Sequence, residues 1–169
     1  MIVIVSGLSG SGKTTVGMVL ADKLGWPFAD ADTFHSQANI AKMSAGIPLT
    51  DADRAPWLRA VGHWMDVKIA AGHPGVITCS ALKRVYRDAL LDGRPAASMI
   101  FLEVSRDELA RRLLARHGHF FHENMLDSQF AAFEPPAANE RVHLVREEGG
   151  PQQTAADIMT VLWPDAKTT

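Results

Sequence analysis

Cysteine is nearly absent from the 169-residue chain, which contains only Cys79. A single cysteine cannot form an internal disulfide, so a disulfide-stapled secreted domain is excluded and a reducing compartment is favoured. Long apolar runs are lacking as well. Residues 1–5 are apolar, but they have no basic region and stop at Ser6 and Gly7, which is too short for a signal-peptide core or a membrane span. We therefore expect a cytoplasmic protein without membrane contact.

A large excess of one charge is also missing, because 17 Lys and Arg stand against 19 Asp and Glu, for a net charge of −2. This balance, with no interleaving of aromatic and basic residues, argues against a nucleic-acid partner. The fractions of hydrophobic (47%) and charged (21%) residues are close to those of soluble globular proteins. The length predicts one domain over residues 1–169, with a frayed tail at about 165–169.

What the sequence does contain is an alternation of buried strands and amphipathic helices. Near-continuous apolar runs predict five strands, at residues 2–5, 27–29, 76–79, 99–104 and 142–145. Helical spacing predicts helices at residues 16–24, 38–45, 50–72, 82–92, 105–116 and 154–162. This order predicts an α/β fold in which a five-stranded parallel sheet is covered by helices on both faces. Ligands should then bind beyond the carboxyl ends of the strands.

A phosphate-binding motif follows the first predicted strand. Residues 7–14, Gly-Leu-Ser-Gly-Ser-Gly-Lys-Thr, match G-x-x-x-x-G-K-[ST] at every fixed position and lie between a strand and a helix. A glycine-rich turn that merely joins the two elements is a poor alternative, because motif and context are both satisfied. The motif predicts a three-layer P-loop NTPase fold that binds ATP and Mg²⁺. The candidate phosphate-binding residues are Gly7, Ser9, Gly10, Ser11, Gly12, Lys13, Thr14 and Thr15.

The magnesium ligands and the catalytic base are expected to be Thr14 and a pair of aspartates. No predicted strand ends in the aspartate that often completes such a site, so magnesium should depend on the Thr14 hydroxyl, water and Asp30 or Asp32. The two aspartates lie at the end of the second strand, and if the extended conformation persists both carboxylates face the same way. We assign Asp30 to the metal and Asp32, farther from the sheet, to the base that takes the proton of an acceptor hydroxyl. The alternative is a simple Asx-turn.

Several blocks resemble one family. The blocks are residues 30–58, the run Cys79-Ser-Ala-Leu-Lys83 with Tyr86-Arg-Asp after it, and residues 116–121, 125–126 and 128–130. Together they are similar to the gluconate kinase family, small P-loop enzymes related to shikimate kinase. The resemblance covers nearly the whole chain. It implies ATP-dependent phosphorylation of D-gluconate on its 6-hydroxyl, giving 6-phospho-D-gluconate and ADP. A homodimer is an open expectation.

A sugar acid needs cationic and polar groups, and four residues stand on the predicted ligand side for this role. They are His35, Arg54, Lys83 and Arg84, of which Arg54 is best suited to hold a carboxylate in a bidentate manner. His35 could equally be a residue at a helix start without contact to the ligand. We interpret Arg87 as a solvated surface residue.

A mobile lid is expected over about residues 116–127. Arg112 and Arg116 lie one turn apart and could cover the nucleotide phosphates when the lid closes. The resemblance implies that Arg116 stabilises charge on the transferring phosphoryl group. Arg111 needs no role beyond complementing the helix dipole. Phe120 and Phe121 would form the apolar contact between the lid and the rest of the domain.

A zinc site at His117, His119 and His122 is disfavoured, since no cysteine or carboxylate cluster completes it.

Two alternatives are kept. One is a different small-metabolite kinase of the shikimate kinase type, and the other is a non-catalytic nucleotide-binding module. Only a kinase should show ATP turnover that its acceptor stimulates.

Overall fold

The computed structural model describes residues 1–117 and 123–165, without the side chains of residues 116, 117 and 123–126. Its five strands are β1 (Ile2–Gly7), β2 (Phe28–Asp30), β3 (Gly75–Thr78), β4 (Ala97–Glu103) and β5 (Val142–Arg146). They form one sheet in the order β2-β3-β1-β4-β5, and every pair is parallel. The predicted strands are confirmed, each within about two residues of its expected ends.

The central strand β1 shows why its sequence is apolar throughout. Ile2 and Ile4 pack into one hydrophobic cluster, whereas Val3 and Val5 pack into another. Successive side chains of a strand point to opposite faces, so β1 is buried on both. Helices cover both faces, which confirms the three-layer α/β architecture.

The helices are α1 (Lys13–Leu24), α2 (Gln37–Ser44), α3 (Asp51–Ala70), α4 (Arg84–Leu91), α5 (Arg106–His117), α6 (Glu123–Ala132) and α7 (Pro151–Leu162). Local signals set several of their ends. Helix α1 stops at Gly25, whose φ of 64° is left-handed, and α3 starts at Thr50 with a reciprocal capping box to Asp53. None of the described helices has the length and apolar character to span a membrane.

Helix α6 was not predicted, because the sequence loses its apolar periodicity near residue 117. The helix is held in place by tertiary packing. Phe130 lies against a cluster that contains Leu8 of the phosphate loop, with Leu109 and Leu113 of α5. This contact places α6 beside the phosphate loop.

Arg87 corrects the sequence analysis, which placed it on the solvated surface. Its side chain is completely buried and forms a bidentate ion pair with Glu140, at 2.6 and 3.0 Å. The same guanidinium donates to the carbonyl oxygens of Leu82 and Glu134, each at 2.9 Å. Arg87 therefore fastens the chain after α6 to the start of α4.

Candidate active site

The phosphate loop has the geometry that its glycines predict. Gly10 and Gly12 both have a φ of 82°, in the left-handed region that favours glycine. Gly7 packs closely against Ser11, since a Cβ on Gly7 would lie only 2.6 Å from the Ser11 Oγ. Lys13 opens α1 directly after Gly12, and its Nζ donates to the Leu8 carbonyl oxygen at 3.3 Å.

A cavity of about 560 Å³ opens on this loop. It is lined by Ser9, Gly10, Gly12, Lys13, Thr14, Thr15, Asp30, Asp32, Arg112 and Leu113. The structure thus brings together most of the predicted phosphate-binding and metal-binding residues, although they come from α1, the end of β2 and α5. The lining does not include Gly7 or Ser11, and Ser11 is buried.

The extended conformation of β2 does not continue to Asp32, so that premise of the sequence analysis was wrong. The strand ends at Asp30, and a 3-10 helix over Ala31–Phe34 follows. The Asp30 Oδ1 accepts a hydrogen bond from the Asp32 backbone N–H at 3.0 Å, which is the Asx-type turn kept as the alternative. Both carboxylates nevertheless line the phosphate cavity.

Thr14 and Asp30 offer a pair of oxygen ligands. The Thr14 hydroxyl lies 3.2 Å from the Asp30 Oδ2. Hydroxyl and carboxylate oxygens suit Mg²⁺, which uses one or two carboxylates together with phosphate and water oxygens. These residues therefore fit the metal that a phosphate loop implies. In the described part of the chain, no donor forms a hydrogen bond with the Asp32 carboxylate, so this group remains available to an acceptor hydroxyl.

A second, smaller cavity of about 150 Å³ lies between α3, α4 and α6. Its lining includes Arg54 and Lys83, two of the predicted acceptor-binding residues. Each cation lies over the ring of Tyr86, the Arg54 Cζ at 5.8 Å and the Lys83 Nζ at 5.6 Å from its centre. The cavity is thus a cationic site of the kind that an organic acid requires. We call it the acceptor cavity.

Asp51 and Tyr86 belong to this cavity and were missed as functional residues. The Lys83 Nζ donates to both Asp51 carboxylate oxygens, at 2.7 and 3.0 Å, and the Tyr86 hydroxyl also donates to Asp51. The hydrogen bond from Lys83 holds the pKa of Asp51 below its ordinary value. In sequence, Asp51 is an acidic residue in the first turn of α3, and Asp51 and Tyr86 both lie in blocks that resemble the gluconate kinase family, although neither residue was assigned a role.

His35 is mainly a packing residue. It is buried and stacks on Trp57, with ring centres 4.5 Å apart and planes at 10°. Its Nδ1 lies 3.5 Å from the Asn39 Nδ2, and that nitrogen also donates to the Asp53 carbonyl oxygen at 2.9 Å. Burial lowers the pKa of His35. This arrangement matches the non-ligand interpretation, since His35 joins α2 to α3.

Arg84 does not lie where a substrate-binding role would need it. Its guanidinium faces Asp88 at 3.2 Å, Asn139 at 3.1 Å and Glu140 at 3.7 Å, and it lines neither the phosphate cavity nor the acceptor cavity. These partners turn the side chain toward the segment after α6. The predicted contact between Arg84 and the acceptor is therefore not supported.

On the lid side, Arg112 lines the phosphate cavity and forms ion pairs with Glu108, at 2.5 Å, and with Glu147. The side chain of Arg116 lies outside the described residues, as do the side chain of His117 and the whole of residues 118–122. The predictions for Arg116, His117, His119, Phe120, Phe121 and His122 therefore rest on sequence. Elsewhere in the chain, no three His, Cys, Asp or Glu side chains of described residues gather as a metal site.

Comparison with known proteins agrees with this geometry. A family model described as AAA domain matches residues 2–136. The gluconokinase of Gluconobacter oxydans is 45% identical, covering 92% of this chain and 88% of that protein. The thermoresistant gluconokinase of Escherichia coli is 42% identical, with 85% and 82% covered. A solved gluconokinase from Sinorhizobium meliloti superposes with a TM-score of 0.80 at 38% identity, covering 97% of this chain and 96% of that one.

More distant structures share the fold alone. Shikimate kinase from Acinetobacter baumannii aligns with a TM-score of 0.62 at 16% identity, covering 99% of this chain and 95% of that one. The parallel sheet, the phosphate loop and the aspartate pair define a P-loop kinase. Within that class, the chain belongs to the gluconokinase family.

Proposed function

We propose that this protein is an ATP-dependent gluconokinase, which transfers the γ-phosphoryl group of ATP to the 6-hydroxyl of D-gluconate and releases ADP and 6-phospho-D-gluconate. The observation that carries the proposal is the joint presence of a phosphate cavity lined by Asp32 and an acceptor cavity lined by Arg54. The relatives that are named gluconokinases supply the acceptor's identity.

The roles of the phosphate-side residues follow from their positions. Loop amides and Lys13 would hold the β and γ phosphates, and Asp32 would accept the proton of the attacking hydroxyl. Thr14 and Asp30 would hold Mg²⁺, which neutralises charge on the phosphate oxygens when bound. Arg116 is proposed to stabilise charge on the transferring group, and Arg112 to contact the phosphates.

On the acceptor side, Arg54 is the better candidate for the gluconate carboxylate. Lys83 already neutralises Asp51, whereas no carboxylate among the described residues pairs with Arg54. A guanidinium without an ion pair can bind a planar carboxylate through two parallel hydrogen bonds. Lys83, paired with Asp51, would then form the wall of the cavity beside the bound acceptor.

A coupled ADP-release assay tests the function. The assay compares D-gluconate, other aldonates, shikimate and no acceptor, and ³¹P NMR locates the phosphate on the product. Turnover stimulated by D-gluconate with a 6-phosphate product is expected. Stimulation by shikimate instead would favour the other kinase class, and slow hydrolysis that no acceptor stimulates would favour a nucleotide-binding module.

Two further proposals concern the protein's setting. We place the reaction in the cytoplasm, where ATP is available. The homodimer stays a prediction, which light scattering coupled to size-exclusion chromatography would test.

A further inference from the structure

Gln129 on α6 connects the phosphate loop to the acceptor cavity. Its side-chain oxygen Oε1 accepts a hydrogen bond from the backbone N–H of Ser9 at 2.8 Å, between residues 120 positions apart in sequence. Ser9 lines the phosphate cavity, and Gln129 lines the acceptor cavity with Arg54 and Lys83. A single side chain therefore touches the loop that holds the donor phosphate and borders the space for the acceptor.

The chemistry of the amide fixes its orientation. A backbone N–H can only donate, so the group facing Ser9 must be the carbonyl oxygen of Gln129. The amide nitrogen, which carries two donor hydrogens, is left over. Among the described residues and side chains, this nitrogen has no hydrogen-bond partner. Gln129 thus offers a neutral donor to a ligand in the acceptor cavity.

The position of this donor is held by packing. Phe130, the next residue, packs with Leu8 of the phosphate loop, and the Arg106 guanidinium lies 5.2 Å from the centre of the Phe130 ring. The Glu134 carboxylate accepts from the Arg84 backbone N–H at 2.6 Å, which ties the end of α6 to α4. The last turn of α6, which follows Gln129, is therefore anchored at Phe130, and the chain just beyond the helix is anchored at Glu134. A donor held in this way can select among ligand orientations, because its entropy is already restricted.

We propose that Gln129 is a positioning and specificity residue, whose amide nitrogen donates a hydrogen bond to the C5 hydroxyl of the acceptor while its oxygen stays on Ser9. This inference rests on the proposed gluconokinase function. The reacting C6 hydroxyl must approach the phosphate loop, so the neighbouring hydroxyl comes next to the residue that touches this loop. Arg54 would hold the carboxylate at the other end of the chain of hydroxyls. Gln129 would thereby fix which hydroxyl reaches the phosphoryl group.

The test compares Gln129→Leu and Gln129→Glu with the wild type, using D-gluconate and its C5 epimer, L-idonate. Loss of one neutral hydrogen bond in Gln129→Leu should raise the KM for D-gluconate by roughly three- to tenfold. The preference for D-gluconate over L-idonate in kcat/KM should shrink by a similar factor. Gln129→Glu keeps an oxygen for Ser9 but lacks the donor, so it should show the same narrowed preference. Ala131→Ser, an exposed change on the same helix, should leave the preference unchanged.

Other results overturn the inference. If Gln129→Leu weakens ATP binding as much as gluconate binding, or leaves the epimer preference at its wild-type value, Gln129 only supports the phosphate loop. The wild-type measurement separates this failure from a failure of the proposed function. If the wild type phosphorylates gluconate and the variants keep the wild-type epimer preference, only the role of Gln129 is refuted. If the wild type does not phosphorylate gluconate, the proposed function is refuted and this inference with it.

Discussion

At the scale of single residues, Lys13 can be removed without touching the core. The buried residues of α1 are Val16, Gly17, Leu20 and Ala21, and Lys13 instead lines the phosphate cavity. We expect Lys13→Ala to keep the circular dichroism spectrum and to lose about 10²–10³-fold in kcat, the usual effect of removing one group that stabilises charge in the transition state. Lys23→Ala, at the other end of α1, is the control. Unfolding of Lys13→Ala, or near-normal turnover, would contradict the assignment.

The two aspartates should differ in metal dependence. Asp32→Asn removes the proposed base, so kcat should fall about 10²–10⁴-fold with a smaller change in the KM for gluconate. Asp30→Asn weakens the proposed metal site beside Thr14, so activity should need more Mg²⁺ and recover in part at high Mg²⁺. Magnesium titrations of both variants distinguish these outcomes. Rescue of Asp32→Asn but not Asp30→Asn would show that the roles are reversed.

Arg54→Ala tests the carboxylate site. Hydrogen bonds to charged groups contribute about 1.5–3 kcal/mol, so the KM for gluconate should rise roughly tenfold or more while the Kd for ATP stays nearly constant. Arg59→Ala, an exposed change on the same helix, should leave both values unchanged. Equal weakening of both ligands would mean that Arg54 supports the fold or the phosphates instead.

At the scale of elements, the start of α3 responds to pH through Asp53. Hydrogen bonds from the Lys42 ammonium and from Thr50 lower the pKa of Asp53 from 3.8 to about 2. A carboxylate with a lowered pKa stabilises the folded state above its unfolded pKa, and this stabilisation is lost as the pH falls from about 4 to 2. Asp53→Asn should therefore lower Tm at pH 7 and flatten the acid dependence of Tm in this range.

The control for that experiment is Asp22→Asn, an exposed change on α1. Thermal unfolding followed by circular dichroism at several pH values is sufficient. If Tm depends on pH with the same slope in Asp53→Asn and in the wild type, the capping box and the Lys42 ion pair do not contribute to the pH dependence of stability.

At the scale of the whole molecule, the buried pair of Arg87 and Glu140 joins distant parts of the chain. The exposed fractions of these side chains are 0% and 3%. Removing one partner of a buried pair leaves an unpaired charge, so Arg87→Met should cost about 3–5 kcal/mol of unfolding free energy. The double change Arg87→Met with Glu140→Leu should recover part of this loss. Urea denaturation measures both.

Arg111→Met is the matched control, because Arg111 pairs with Glu108 while its side chain is 72% exposed. An exposed pair contributes only about 0–1 kcal/mol. Equal effects of the two arginine substitutions would show that the segment from Glu134 to Glu140 does not depend on Arg87.

The elements and the phosphate loop could be predicted because their signals are local. Apolar runs, caps and the spacing from Gly7 to Thr14 are properties of neighbouring residues, and neighbours interact in any fold that forms. The aspartate pair was found for the same reason, although the turn at Asp30 was resolved only in the structure.

Tertiary structure alone decided which groups surround the side chains of Arg84 and Arg87. They lie three residues apart on α4, and the sequence favoured Arg84 as the ligand and Arg87 as the surface residue. The segment that returns after α6 contradicts both predictions, since Glu140 pairs with the buried Arg87 and Asn139 accepts a hydrogen bond from Arg84. The contact between Ser9 and Gln129 also depends on tertiary packing, because local sequence patterns do not predict which residues come into contact across 120 positions. The sequence by itself determined the class of chemistry, whereas long-range packing decided which side chains face the acceptor.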